Sequence, residues 1–331
     1  MDLTTHYLGF KLPHPFMPGA GPLADHLDTV KKLEDAGAAA IVLRSLFEEQ
    51  LVFEQLATYR YTDFHRDVFP EASSFLPEPE AFRMGPDAYL EQVRRIRAAV
   101  KVPVIASLNG TTPESWASAA RQLEQAGASA IELNVYSIGA DPTLAATDVE
   151  SRTVELLQKV KGAVRVPIAV KLSPFYTSLA HFAARLEKAG ADGLILFNRL
   201  FQPELDMESL EMQRVLHLSD ASELPLRLRW LGVLSAQVGC SLAVSGGVHE
   251  PVDAVRALAT GADVVQVVSA LLRRGPHHLE TLRVGLAHWL EEHQYESVAQ
   301  LRDSMNYASC PDPSVYLRAN YVLLLQSGWK A

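Results

Sequence analysis

Lys171 is the residue whose chemistry most needs explaining. It stands in Val170-Lys171-Leu172-Ser173-Pro174, at the end of an otherwise apolar run. An ammonium group in such surroundings is costly unless it meets an anion. Either its stem snorkels the charge to a rim, or it is the cation beside a bound group that becomes negative. Asn134 and Asn198 close two further apolar runs. A carboxamide both donates and accepts, which suits the edge of a heterocycle or a carboxylate. Singly, each could equally cap its own loop; together with Lys171 they make a convergent polar ring. Two turns complete the set, Ser245-Gly246-Gly247-Val248 and Val268-Ser269-Ala270-Leu271. Paired glycines at a strand end let backbone N–H groups approach an anion, and a following helix adds its dipole. A ligand-free tight turn would use the same glycines, but two strand ends agree on phosphate.

These residues close short β-branched apolar runs, of which there are eight: 16–20, 39–45, 102–108, 130–135, 168–172, 193–198, 241–246 and 264–271. Continuous apolar runs are what parallel strands buried on both faces require. Between them, segments such as 27–36, 113–126, 151–164 and 178–189 carry apolar residues three and four apart, a helical pattern. Three segments close on one phrase, Asp35-Ala36-Gly37-Ala38, Gln125-Ala126-Gly127-Ala128 and Lys188-Ala189-Gly190-Ala191, with Ala259-Thr260-Gly261-Ala262 a fourth variant. The glycine fits the position just past a helix end. Eightfold alternation predicts an α/β fold, a parallel (β/α)8 TIM barrel rather than a doubly wound open sheet. Barrel chemistry sits at the C-terminal strand ends. That singles out Arg44 and Ser45, Ser107 and Asn109, Asn134, Lys171, Asn198, and Ser245 to Gly247. Long connections at 46–100, 136–150 and 199–223 leave the same face, as lids and binding loops do. The chain reads as a single domain over 1–331, a barrel over about 15–287 with a C-terminal helical tail packed outside it.

Composition narrows the function classes. The 331 residues are 48% hydrophobic and 21% charged, enough apolar material for a large core. A formal charge of −9 without a dense Lys/Arg run argues against a nucleic-acid surface. The two cysteines, Cys240 and Cys310, suit reduced thiols in a reducing cytosol. No Cys-x-x-Cys or His-Glu-x-x-His pattern announces a metal. The opening Met-Asp-Leu-Thr-Thr-His is unlike a signal peptide, and no apolar stretch approaches 18 residues. With the first strand near Pro15, no room is expected for a membrane-associating extension, and the expected location is cytoplasmic.

Four motifs in order carry a resemblance. They are Glu132-Leu133-Asn134-Val135-Tyr136-Ser137, Pro167-Ile168-Ala169-Val170-Lys171-Leu172-Ser173-Pro174, Ser245-Gly246-Gly247-Val248 and Gly261-Ala262-Asp263-Val264-Val265-Gln266. From about Leu3 to Gly285 the chain resembles the soluble dihydroorotate dehydrogenases. The resemblance implies an FMN-containing barrel that oxidises dihydroorotate to orotate in pyrimidine biosynthesis. A base takes a proton from C5 while hydride passes from C6 to flavin N5. By the same resemblance, Lys171 stabilises negative charge on the reduced flavin. Ser245, Gly246, Gly247, Val268 and Ser269 hold the FMN phosphate. Ala20 and Gly21 bring backbone close to the isoalloxazine. Arg44 and Ser45 flank the cofactor, Asn109 and Asn134 contact flavin or substrate, and Asn198 the substrate. Ser137 falls where the family places its base.

The departures are concentrated on the substrate side. Arg44 replaces the family's lysine after strand two, keeping charge but changing donors. Ile138-Gly139 stand where the family has Pro-Asn, the substrate loop has no counterpart in 75–87, and a Gly-rich flavin turn is absent from 218–227. The leading expectation is therefore an FMN oxidoreductase acting on a CH–CH donor, either dihydroorotate bound differently or another small cyclic acid or dihydropyrimidine-like substrate. Two rivals are an FMN-binding homologue with little or no turnover and a phosphosugar barrel without flavin. The electron acceptor stays open among fumarate, oxygen and a partner protein. Family members are often dimers, which would make this a homodimer.

Overall fold

A computed structural model describes residues 1–47, 86–110, 112–136, 139–199, 202–213 and 215–326. The chain opens with a hairpin of β1 (Thr5–Tyr7) and β2 (Phe10–Leu12). Next come β3 (Phe16–Pro18), α1 (Leu27–Asp35), β4 (Ile41–Phe47), α2 (Pro86–Ala99), β5 (Val104–Asn109), α3 (Pro113–Gln125) and β6 (Ala130–Asn134). Then follow α4 (Ala146–Lys161), β7 (Ile168–Leu172), α5 (Leu179–Lys188) and β8 (Gly193–Leu196). A second hairpin, β9 (Glu204–Asp206) with β10 (Glu211–Gln213), interrupts the connection to α6 (Leu224–Leu234). The last barrel elements are β11 (Ser241–Ser245), α7 (Pro251–Ala259), β12 (Val264–Val267), α8 (Ser269–Arg274) and α9 (His278–Glu292).

Eight strands pair in parallel in the order β3-β12-β11-β8-β7-β6-β5-β4. Ala39 N–H donates to the Phe16 carbonyl at 3.0 Å across the remaining seam, between β3 and β4. This is the expected (β/α)8 barrel. The central strands are buried along their length, which is why they read as continuous apolar runs. Small residues at several strand starts, Ala39, Ala130, Ala169 and Ala243, leave room inside the barrel. Tyr7, Leu8 and Leu12 of the first hairpin fill it, plugging the end opposite the strand C-termini.

The repeated helix ending does two jobs. Gly37, Gly127, Gly190 and Gly261 have φ of 87°, 97°, 103° and 119°, the left-handed region that glycine enters without a Cβ clash. The next residue then bonds back across the turn: Ala38 to Leu33, Ala128 to Leu123, Ala191 to Leu186 and Ala262 to Ala257. The glutamate three before the glycine is the second device. Glu34 Oε1 accepts from Lys101 and Val102 N–H, Glu124 Oε1 from Arg165 and Val166, and Glu187 Oε1 from Gly239 and Cys240. Each carboxylate thus ties one helix end to the entry of a neighbouring strand.

Two boundaries differ from the sequence pattern by four residues or more. The eighth run extends to 271, but β12 stops at Val267 and α8 begins at Ser269. Beyond Val267 neither β3 nor β11 offers a partner, so a longer strand would leave its backbone groups unpaired. Helix α4 starts at 146 rather than 151, because its first turn is polar and shows no apolar period until Thr153, Leu156, Leu157 and Val160 meet the core. The tail packs on the outer helices. Tyr307 N–H bonds to Gly232 O, Met305 N–H to Ala259 O, and the Tyr316 ring occupies the space a Cβ on Gly232 would need. Among the described residues, no helix is long and apolar enough to cross a membrane.

Candidate functional site

The C-terminal strand ends open into a cavity of about 490 Å³. Its walls include Ala20 and Gly21 after β3, Arg44 and Ser45 of β4, Asn134 of β6, Lys171 of β7 and Asn198 after β8. Ser245 and Gly246 at the end of β11, and Val268 and Ser269 at the start of α8, complete the set from the sequence pattern. Asn109 and Gly247 do not line it. Ser137, the candidate base, and most of the connection 46–100 lie outside the described residues.

Lys171 does not snorkel. Its side chain is 8% exposed, with Nζ 3.3 Å from Glu132 Oε1 and 3.4 Å from Gln266 Oε1. Gln266 Nε2 donates to the other Glu132 oxygen at 2.9 Å. Glu132 on β6, Lys171 on β7 and Gln266 on β12 therefore form a closed network inside the barrel, with Lys171 presented to the cavity. A buried ammonium needs such a counter-ion, because desolvation alone would penalise its charge.

A second network holds Asn134. Its Nδ2 donates to Ser45 Oγ at 3.1 Å, Ser45 shares a 2.7 Å hydrogen bond with Ser107, and Asn109 Nδ2 donates to the Asn134 carbonyl at 2.8 Å. Asn109 thus acts on Asn134's backbone instead of facing the cavity. Asn134 Oδ1 is buried and meets no donor among the described residues. A buried acceptor left unpaired is costly, so a cavity residue carrying one is suited to a ligand N–H. Asn198 Nδ2 spans the ends of β6 and β7, donating to Val135 O and Lys171 O at 3.3 and 3.4 Å. Arg44 turns to the rim, its Nε 2.9 Å and its NH2 2.6 Å from the two Asp25 oxygens. Tyr89 donates to the Arg44 carbonyl at 2.6 Å, and burial pushes its phenol above the usual range, so it remains a donor.

The other end of the cavity belongs to the glycine turn and α6. Gly246 and Gly247 have φ of 89° and 83°. A Cβ on Gly246 would stand 2.8 Å from the Arg227 guanidinium, and one on Gly247 2.7 Å from Leu224 N. The turn is therefore glycine partly so that α6 can lie against it. Arg227 Nε donates to the Ser245 carbonyl, and Glu223 joins Arg227 to Arg199. Ser269 Oγ accepts from Ser219 N–H at 3.0 Å. Val268 packs its methyls over Gly19 and Gly21, where a Cβ would stand 3.0 Å away.

Glu132, Gln266, Glu223 and Arg227 received no role from the sequence pattern. Glu132 gave a signal, a carboxylate inside an apolar run facing the run that carries Lys171. Arg227 and Glu223, four apart on one helix face, fall in the segment where the Gly-rich flavin turn is missing. The donor set fits a flavin nucleotide. It combines an unpaired acceptor for a ring N–H, an ammonium for negative charge on the ring, and cations beside a glycine turn for a phosphate.

Comparison with known proteins agrees. The sequence model of the dihydroorotate dehydrogenase family matches residues 2–290. The catalytic subunit of dihydroorotate dehydrogenase B (NAD(+)) from Methanothermobacter thermautotrophicus is 29% identical over 315 residues, covering 90% of this chain and 97% of its own. The protein of the same name from Thermoplasma volcanium is 26% identical, covering 91% and 97%. A chain from Aeropyrum pernix, provisionally named a dihydroorotate dehydrogenase A (fumarate), is 26% identical, covering 93% and 97%. With the barrel, the cavity and a match over nearly its whole length, the chain belongs to the dihydroorotate dehydrogenase family of FMN-dependent oxidoreductases.

Proposed function

We propose that this cavity binds FMN and oxidises a CH–CH bond of a small cyclic acid or dihydropyrimidine-like substrate. The observation that carries the reading is Lys171, held against Glu132 and Gln266 beside the acceptor of Asn134 that meets no donor among the described residues. When bound, FMN supplies a hydride acceptor. Lys171 would hold its ammonium beside the bound ring, where it would offset negative charge. Asn134 fixes the ring or substrate edge through Oδ1, and its own orientation is set by Ser45. Ala20 and Gly21 form a flat wall, while Ser245, Gly246, Val268 and Ser269 surround the phosphate end. Asn198 faces the substrate.

The substrate proton is assigned to Ser137. A serine hydroxyl accepts a proton only if its own moves on, through water or a neighbour such as Tyr136, which lines the cavity. The names of the relatives divide between NAD(+) and fumarate. This chain has no GxGxxG turn for a nicotinamide nucleotide, so a separate acceptor removes the electrons. On this reading the protein works in the cytoplasm, as a homodimer.

The test is anaerobic mixing of the oxidised flavoprotein with dihydroorotate and a panel of other dihydropyrimidines, followed by flavin absorbance. Dihydroorotate is expected to reduce the flavin slowly, and one other ring to reduce it faster. Ser137→Ala should slow reduction by about 10²–10⁴-fold with FMN retained. Protein that is colourless and cannot be reconstituted with FMN removes the reading. A bound flavin that no member of the panel bleaches leaves a flavin-binding homologue without this turnover.

A further inference from the structure

Arg44 on β4 and Lys171 on β7 bring two cations to the cavity wall. Each is already matched by a carboxylate. Lys171 has Glu132. Arg44 has Asp25, which takes Nε on one oxygen at 2.9 Å and NH2 on the other at 2.6 Å. A fork of this kind fixes the guanidinium in direction as well as in charge. The Asp25 side chain is 15% exposed against 45% for Arg44, so the carboxylate is the more enclosed member. It stands there because the chain makes a single turn over Pro22–Ala24, closed by Asp25 N–H on the Pro22 carbonyl at 3.2 Å. Gln92 of α2 holds that turn through the Ala24 carbonyl at 2.7 Å, and Tyr89 of α2 holds the Arg44 carbonyl. One helix thus pins both partners. An ion pair this open to solvent contributes little to folding; what it changes is the charge the cavity presents. On β6, between β4 and β7 in the sheet, Asn134 Oδ1 meets no donor among the described residues. A carbonyl oxygen there suits a ring N–H and repels a carboxylate.

We propose that the Asp25–Arg44 pair sets substrate specificity: Asp25 cancels the charge of Arg44, so that the cavity takes a neutral dihydropyrimidine in preference to one carrying a carboxylate. The inference deepens the flavin reading above and rests on it. Both kinds of ring offer the N–H and C=O edge that a carboxamide recognises; they differ by one negative charge. With Asp25 and Glu132 in place, that charge joins two carboxylates whose cations are already matched. Without Asp25, Arg44 meets it with a full positive charge and a fork of fitting geometry. Asp25 acts through Arg44, so its effect is read from the pair.

The experiment titrates the full chain, reconstituted with FMN, with uracil and with orotate, which differ in the carboxylate, following flavin absorbance and calorimetry. Wild type should bind uracil the more tightly. Asp25→Asn should raise the ratio of orotate to uracil affinity about fivefold or more, the effect of one unit charge about 4 Å away at the dielectric constant of water. Arg44→Gln should lower the ratio, because Asp25 is then left without its cation. The double variant, neutral again, should return to the wild-type ratio. Tighter binding of orotate by wild type overturns the proposal, as does a ratio unmoved by Asp25→Asn in folded protein. A double variant as weak for orotate as Arg44→Gln shows that Arg44 grips the carboxylate directly, and overturns it too. Protein that takes no FMN but keeps the charge-dependent ratio in calorimetry supports the pair and fails the flavin reading. Flavoprotein that binds neither ring keeps the flavin and fails the proposal.

Discussion

At Lys171 the same atoms hold the fold and, on the proposed reading, would serve the chemistry, and variants can separate the two roles. Its ammonium neutralises Glu132, whose side chain is 1% exposed. Lys171→Met should leave that carboxylate buried without a counter-charge, with only Gln266 donating to it, costing about 3–5 kcal/mol in denaturant unfolding. Adding Glu132→Gln removes the stranded charge, and the double variant should recover most of the loss. Flavin potential responds differently. Both variants lack the cation facing the ring, so both should show a lower reduction potential than wild type. A potential restored along with stability would mean that Lys171 acts only as the partner of Glu132. Gly246 shows a similar overlap. Its bare backbone suits an anion, but the distance to Arg227 shows that a side chain would first collide with a cation.

The most repeated element of the barrel is the helix end, with its Leu-Glu-x-Ala-Gly-Ala phrase at 33–38, 123–128 and 186–191. The glycine and alanines were readable as a turn into the next strand. The glutamate was not, because its two amide partners lie 41 to 68 residues away along the chain. Each carboxylate satisfies two backbone donors that a strand entry would otherwise leave to water. Glu187→Ala should therefore lower stability by about 1.5–3 kcal/mol, the range for a hydrogen bond to a charged group. Hydrogen exchange at Gly239 and Cys240 should quicken, while exchange at the Glu34 clamp stays unchanged. Cys240 itself is inert in this setting, since burial pushes its thiol up to about 12.

The whole molecule carries an acid sensitivity remote from the cavity. His14 precedes β3, and its Nδ1 accepts from Phe16 N–H at 3.2 Å, a bond that requires an unprotonated nitrogen. Burial, helped by the charge of Arg283, lowers its pKa to about 4, although a hydrogen bond with the Gly37 backbone works the other way. The folded state thus binds the proton less readily than the unfolded chain. The stability this confers is fully present above pH 6.5 and is lost as pH falls through about 4. The loss should reach about 3 kcal/mol, since each pH unit separating the folded from the unfolded value is worth about 1.4 kcal/mol. Urea unfolding at several pH values checks it: the slope between pH 6.5 and 4 should flatten in His14→Gln, and an unaltered slope assigns the acid sensitivity to other groups.

The sequence by itself determined the barrel. Eight apolar runs and their glycine-ended helices are local patterns, and local sterics and burial suffice to produce them. It also determined which strand ends carry polar side chains, because in a barrel those ends share one face. Only the tertiary structure decided what those side chains do to one another. Lys171 meets Glu132 and Gln266 from strands 39 and 95 residues away, and Asn109 reaches the backbone of Asn134. Arg227 arrives at the glycine turn because α6 packs there, on a segment that reads as the loss of a motif. Partners distant in sequence are fixed by barrel closure and strand register, and a buried charge can be interpreted only once its partner is known.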